Sequence, residues 1–559
     1  MKLRVAVLGG GMGGLACAHE LARTGIDVTV YEASSFLGGK ARSHYVAGTG
    51  TQGRRDLPGE HGFRFYPGFY RHVIQSMREI PDPLSPTGTV DGNLVSVDEA
   101  GVALPGEGIV TSPRRARTLG DARRAIDSIR RSGGSPSDLA LYLAAHLKYL
   151  TACDARREGE IERTPWAEFI GAHAPGRYTE SFREVLLACT RTMVAMDAER
   201  GSSRTVGQTS SLLLMDSFAG NETDRTMMGP TTECWIEPWE KHLRARGVSF
   251  VFGHRIERLE HDGRRITRVW ATAADGRAQA LEADAFVLAV PIEAAQRLAG
   301  ESVAGVDAEL AKVARCDLST TTTWMVGAQY FLREDVPLCE GHLFFPQSPW
   351  SLTAISQAQF WNRGNRAMAR YADGHLRGIV SVDVSSCFSP DRDGVRLVDA
   401  RSTEEILART RIQLQEALDG PTRRAFERAV YAANLDHEVR VGPDGVKNAG
   451  RLLIHPPGSR AERPDASTTF ENLYLASDYV KTEMDLASME SANEAGRRAA
   501  RAVLLRAGED PACVQLFGYH EVDGFRIPKR VDEWLHARGM PHALTLIRRF
   551  AETQLGLWT

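Results

Sequence analysis

The run Val5-Ala6-Val7-Leu8, followed at once by Gly9-Gly10-Gly11-Met12-Gly13-Gly14, leaves this chain few ways to begin folding. Leu3 to Leu8 reads as a short, fully buried strand. Gly9, Gly11 and Gly14 then give the GxGxxG spacing. The first glycine permits a tight turn, the second lets the backbone approach a pyrophosphate, and the third allows close helix–strand packing. In the helix that follows, Leu15, Ala18 and Ala22 share one face, and Gly25 stops it after Thr24. Its N-terminus would favour negative charge. Ile26, Val28 and Val30 alternate with polar residues as a second strand that ends at Glu32-Ala33, where an acid can accept ribose hydroxyls. Glycine spacing alone recurs by chance in loops. Its position between a strand and a helix, with the acid at the next strand's end, makes nucleotide binding the expectation, with Gly9, Gly11, Gly13, Gly14, Glu32 and Ala33 as contacts.

Next comes Gly38-Gly39-Lys40-Ala41-Arg42-Ser43. Two glycines allow a second close backbone approach, and Lys40 and Arg42 can offset phosphate charge. The same residues could form a plain loop with solvated cations. The second glycine pair, with Gly39, Lys40 and Arg42 as contacts, turns the expected cofactor from NAD to FAD. The whole run from Val5 to Ser43 resembles the amine oxidase and phytoene desaturase superfamily, whose FAD fingerprint continues past the acid into GG(R/K). That resemblance implies an α/β fold: a Rossmann-type, GR2-like FAD-binding domain with an inserted substrate domain of mixed sheet and helices.

The cofactor pattern resumes after a long interruption. Trp235 to Arg246 has helical spacing, Val248 to Phe252 and Ala285 to Val290 read as strands, and Ile256 and Leu259 precede a turn at Asp262-Gly263. The resemblance places the backbone of Ile256 near the adenine; its side chain alone reads as core. Leu473 to Ala476 is a further buried strand, ending in Ser477-Asp478. A carboxylate there, Asp478, can bind ribityl or ribose hydroxyls, and a helix opening near Met489 can point its N-terminus at the flavin N1–C2=O edge. Asp478-Tyr479-x-Lys481 with Ala487-Ser488-Met489-Glu490-x-Ala492 resembles the C-terminal motif of plant- and cyanobacterial-type phytoene and ζ-carotene desaturases, departing from it at Ser477 and Ser491. Gly59 to Tyr70 resembles that family's segment beside the isoalloxazine, which implies Gly62 and Phe63 as flavin neighbours. His61 and Arg64 depart from the family there. They are the candidate catalytic groups, each equally readable as structural.

The expected organisation is a discontinuous FAD-binding domain over 1–85, 225–300 and 450–507, a substrate domain over 86–224 and 301–449, and a tail over 508–559. Residues 118–220 read as largely helical, while Thr321 to Phe331, His342 to Phe345 and Ser351 to Ile355 read as antiparallel strands. Monoamine oxidases typically carry a lysine near Thr322 to Trp324, and no lysine occurs between Lys312 and Lys447. The expected reaction is therefore desaturation, in which a C–H hydrogen leaves as hydride to flavin N5 and a proton leaves the neighbouring carbon. The resemblance implies a lipophilic, isoprenoid or polyene-like substrate. Amine oxidation, hydroxysqualene dehydroxylation and a non-enzymatic escort-type binding protein are the competing readings.

A formal net charge of −3 with dispersed arginines argues against a nucleic-acid partner. The eight cysteines include no CxxC pair, so no metal is expected and the thiols read as reduced, in a cytoplasmic protein. No stretch approaches the roughly 20 apolar residues that span a bilayer. Leu544, Ile547, Ala551 and Leu555 share a helical face beside Arg548 and Arg549, suited either to peripheral membrane contact or to docking on the body of the protein.

Overall fold

Five strands, Leu473–Leu475, Ala285–Leu288, Arg4–Leu8, Asp27–Glu32 and Ser249–Phe252, lie side by side in that order. All four pairings are parallel. Parallel sheets are covered on both faces, which is why Val5 to Leu8 and Ala285 to Leu288 read as unbroken apolar runs and are buried throughout. The computed structural model describes residues 2–106, 108–115, 117–364, 367–519 and 523–548. One face of the sheet is covered by the Met12–Ala22 helix and, against it, the long Met489–Ala507 helix.

These two helices touch through glycine. A Cβ on Gly496 would lie 2.2 Å from the Gly13 carbonyl oxygen, and one on Gly13 would lie 2.1 Å from that of Ala476. Ala492, Ala499 and Ala500 of the long helix are buried in the same core as Leu15, Ala16 and Ala18. Glu490, at the start of the long helix, is also buried. Its carboxylate accepts from the backbone N–H groups of Arg71, His72 and Val73 at 2.8–2.9 Å, capping the His72–Arg78 helix and tying the 59–70 segment to the C-terminal helix.

The second sheet has seven strands in the order Val430–Leu435, Val326–Leu332, Gly378–Val384, Leu352–Ser356, Gly341–Phe345, Glu99–Leu104 and Gly108–Pro113. Only the Gly341–Phe345 to Glu99–Leu104 pairing is parallel. One face carries Val326, Ala328, Tyr330, Val380, Val382, Val384, Leu352 and Ala354 and forms an apolar core with Ile406, Leu414 and Phe426 of the helices behind it. The opposite face carries Gly327, Asp383, Thr353 and His342.

The expected strand over Thr321 to Phe331 is divided. Thr322–Thr323 pairs with Leu452–Leu453, and the seven-stranded sheet takes Val326–Leu332 instead. Strands at Glu99–Leu104, Gly378–Val384 and Val430–Leu435 complete the sheet: the first forms a hairpin with Gly108–Pro113, and the other two both pair with Val326–Leu332, farther off in the chain.

The helical part contains Leu119–Arg131, Pro136–Thr151, Glu180–Val194 and Ser203–Phe218. Thr118 with Asp121, and Ser135 with Asp138, form capping boxes on the first two. Buried Asp485 binds the helical part to the C-terminal portion, accepting from Thr205 Oγ1 at 3.0 Å and from Arg204, Arg460 and Arg463.

Tail residues also dock. Asp532, on the Arg526–His536 helix, accepts from the Cys153 N–H at 2.8 Å and pairs with buried Arg156 at 3.0 Å. Leu544 and Ile547 are described, whereas Arg549, Ala551 and Leu555 of the expected amphipathic face lie outside the described residues. Among the described residues no helix is long and apolar enough to cross a membrane.

Gly496→Val forces a branched side chain into the Gly13 carbonyl. We expect it to lower stability by about 1–3 kcal/mol or more, the range for overpacking. Thermal melting compares it with wild type; an unchanged melting temperature would contradict the glycine contact.

Candidate active site

Parallel strands bind ligands beyond their C-terminal ends, and a cavity opens there. A cavity of about 460 Å³ lies between the ends of the parallel sheet, at Ala289, Ser477 and Asp478, and the inner face of the seven-stranded sheet, at Met325, His342, Phe344, Thr353 and Asp383. Of the residues expected to act, Gly11, Gly13, Gly39, Lys40, Arg42, His61, Phe63, Arg64, Asp478 and Met489 line it together. Gly9, Gly14, Glu32, Ala33, Gly62 and Ile256 do not.

Those six have other placements. Gly9 has φ +120°, and a Cβ there would sit 2.4 Å from the Ala289 carbonyl oxygen, so it makes the turn. A Cβ on Gly14 would lie 2.0 Å from the Gly9 oxygen, which is the helix–strand contact its spacing implied. Glu32 binds backbone: Oε2 accepts from the Gly10 N–H and Oε1 from the Ser34 N–H, both at 2.8 Å. It pins the glycine loop to the second strand, and Ala33 follows it. Gly62 backs onto the Asp383 carboxyl, 2.9 Å from where its Cβ would be. Ile256 lies in a separate three-stranded antiparallel sheet, paired with Ala271 and packed on apolar core.

The residues present fit a dinucleotide. A Cβ on Gly11 would meet only the Gly39 Cα, at 4.0 Å, and otherwise would project into open space. The Met12–Ala22 helix begins at Gly11 with no side-chain cap, so its first N–H groups are available to an anion. Lys40 and Arg42 stand beside this cradle. Lys40 Nζ donates to the Arg451 carbonyl, and Arg42 donates to the Gly39 carbonyl at 2.9 Å and pairs with Glu438 at 3.4 Å. Met489 opens the long helix at the cavity wall, after its cap Ser488.

Below the cradle is a group of buried titratable side chains. His61 Nδ1 is hydrogen-bonded to Asp436 Oδ2, while its Nε2 is buried without a partner at the cavity. Burial works against the Asp436 charge, but hydrogen bonds from His437 and His61 outweigh it and hold the carboxyl well below the usual range. His437 is raised to about 9 by Asp436 and Glu438, and burial lowers His44 to about 4. His44, Asp436 and His437 bring ligand-type atoms within 4.8 Å of one another. Each is already engaged: His44 with Asn434 at 2.9 Å, Asp436 with His61, and His437 with Glu438 at 3.1 Å.

Arg64 donates to the Lys40 carbonyl at 2.9 Å and stands 3.5 Å from Glu60, leaving Nε without a partner. It therefore braces the basic loop as well as facing the cavity. Asp383 and His342 were not singled out in the sequence. Burial pushes the Asp383 carboxyl up to about 8, against the pull of Arg64 and the Phe63 N–H. His342 Nδ1 faces Asp224 Oδ2 at 2.6 Å. No motif marks either one, because strand pairing between distant segments brings them to the cavity.

Two variants test the site. Glu32→Ala frees the Gly10 loop, and we expect purified protein to lose most of its bound flavin; full occupancy by absorbance would contradict this placement. Asp383 keeps its proton up to about pH 8 when folded, against about 3.9 when unfolded. The folded state thus holds the extra proton between those values, and stability falls as pH rises from about 4 through about 8. Asp383→Asn removes that slope, so its melting temperature should gain on wild type across this window. Parallel curves would refute the assignment.

Comparison with known proteins agrees with this geometry. The family described as flavin containing amine oxidoreductase matches residues 12–504. The chain is similar to 15-cis-phytoene desaturase of Synechococcus elongatus, 24% identical over 537 residues, covering 91% of this chain and 97% of that protein. It is also similar to the chloroplastic/chromoplastic zeta-carotene desaturase of Arabidopsis thaliana, 23% identical with 91% and 87% covered. Among solved structures, cyclohexylamine oxidase from Brevibacterium oxydans superposes with a TM-score of 0.59 at 14% identity, covering 91% of this chain and all of that one.

Proposed function

The chain belongs to the flavin containing amine oxidoreductases, and on that premise we propose that it is an FAD-dependent desaturase of a lipophilic, isoprenoid-like substrate. The observation that carries this reading is the apolar character of the cavity away from the glycine cradle, where Phe63, Phe65, Leu213, Met325, Phe344, Leu452 and Leu486 face inward. No lysine occurs from residue 313 to 446, the stretch that supplies five of the seven strands under the cavity, and similarity to carotenoid desaturases over nine-tenths of the chain supports the same reading.

In this reading Gly11, Gly39, Lys40 and Arg42 would hold the pyrophosphate, Asp478 would bind ribityl or ribose hydroxyls, and the helix start at Met489 would lie on the side of the flavin ring. FAD, when bound, supplies a two-electron acceptor able to take hydride from a C–H bond. The apolar walls bind the chain of the substrate, exclude water and fix which carbon faces the cofactor. His61 Nε2 accepts the proton lost from the neighbouring carbon. Asp436 holds the ring through Nδ1 and stabilises the imidazolium that results. Arg64 steadies the Lys40 loop.

The purified protein should be yellow and release FAD on denaturation. Under anaerobic conditions, lipophilic polyenes should bleach the flavin and primary amines should not. Bleaching by amines alone would replace desaturation with amine oxidation.

A further inference from the structure

The sheet under the cavity carries one polar line that the proposed reaction does not use. His342 pairs with Ile355 and Phe344 with Thr353, so His342 and Thr353 are diagonal neighbours on one face. Asp383 stands directly opposite Thr353 on the next strand. All three are less than a twentieth exposed and line the cavity. Each has an atom without a partner: His342 Nε2, Thr353 Oγ1 and Asp383 Oδ1. Buried polar atoms left unpaired are costly, so three together on one face call for a ligand that pairs with them.

The local chemistry specifies that ligand. His342 is held from behind by Asp224, and its ring lies 4.8 Å from that of Phe63, so it cannot turn away. Asp224 also pairs with Arg114 at 3.3 Å. That carboxylate is shared with a guanidinium, and in the tautomer whose Nδ1–H donates to Asp224 the ring presents the Nε2 lone pair to the cavity. The buried Asp383 carboxyl carries a proton at neutral pH and donates. Thr353 can donate or accept.

We propose that His342, Thr353 and Asp383 bind a hydroxyl group of the lipophilic substrate, whose O–H donates to His342 Nε2 and whose oxygen accepts from Thr353 and the Asp383 carboxyl. A hydrocarbon satisfies none of these atoms. An ether or ketone offers acceptors only and leaves Nε2 unpaired. The inference rests on the lipophilic-substrate reading above and narrows it from hydrocarbon to alcohol.

The test titrates oxidised holoenzyme with geranylgeraniol, with its methyl ether and with the matching C20 hydrocarbon, following the perturbed flavin spectrum. This readout needs no turnover. Wild type should bind the alcohol at least about tenfold more tightly than the ether or the hydrocarbon. His342→Phe and the near-isosteric Thr353→Val should each erase most of that preference while still binding the hydrocarbon; flavin content and melting temperature show that each variant is folded. Equal affinity of wild type for all three probes overturns the hydroxyl site and leaves the lipophilic reading intact. A preference kept in both variants likewise overturns it. If no probe perturbs the flavin, the lipophilic reading falls and the hydroxyl site with it.

Discussion

The contact on which the rest of this structure depends is the glycine-to-glycine crossing of the Met12–Ala22 and Met489–Ala507 helices. Gly13 and Gly496 have no side chains, so the Met12–Ala22 and Met489–Ala507 helices approach to backbone contact. That approach brings residues almost 500 positions apart to the same cavity wall. Gly11 and Asp478 then stand beyond the ends of two parallel strands separated by Ala285–Leu288, with Met489 beside them. The start of the chain and residues 477–492 thus line a single site. A branched residue at either glycine separates the two halves of the cradle before any cofactor contact is considered.

Buried charge secures this arrangement. Arg497, one residue past Gly496, pairs with Glu20 on the first helix at 2.8 Å, both almost fully buried. Glu490 caps the short helix that follows the 59–70 segment, so the strip carrying His61, Phe63 and Arg64 is held against the same C-terminal helix. Breaking one partner of such a pair leaves an uncompensated charge in the interior, which is far costlier than losing an exposed ion pair. The inserted sheet then brings a second set of buried groups, among them Asp383 and His342, to the cavity from the other side.

How much of this could be read from the sequence follows from the range of the interactions. Gly9, Gly14 and Gly39 were legible because a turn and a close approach leave a local glycine signature. Asp478 was legible because a buried strand ends just before it. Glu32 was found correctly as the acid ending the second strand, but its carboxylate turns to the Gly10 and Ser34 amides, a choice that local pattern does not encode. Asp436, Asp383 and His342 belong to no motif, since each meets its partners at the cavity from a distant segment: Asp436 bonds His61, Asp383 backs onto Gly62 and His342 bonds Asp224. His61 was visible as a departure from a familiar segment; its partner, 375 residues away, was not.

The central claim is that the loops at Gly11 and Gly39 form the seat of FAD. The most direct measurement is calorimetric titration of apo-protein with FAD, comparing wild type with Gly11→Val, whose Cβ would meet nothing nearer than the Gly39 Cα at 4.0 Å and whose side chain would enter the open cradle. The account predicts one FAD per wild-type chain and no measurable binding to a folded Gly11→Val. Equal affinity and stoichiometry in the two proteins would contradict it.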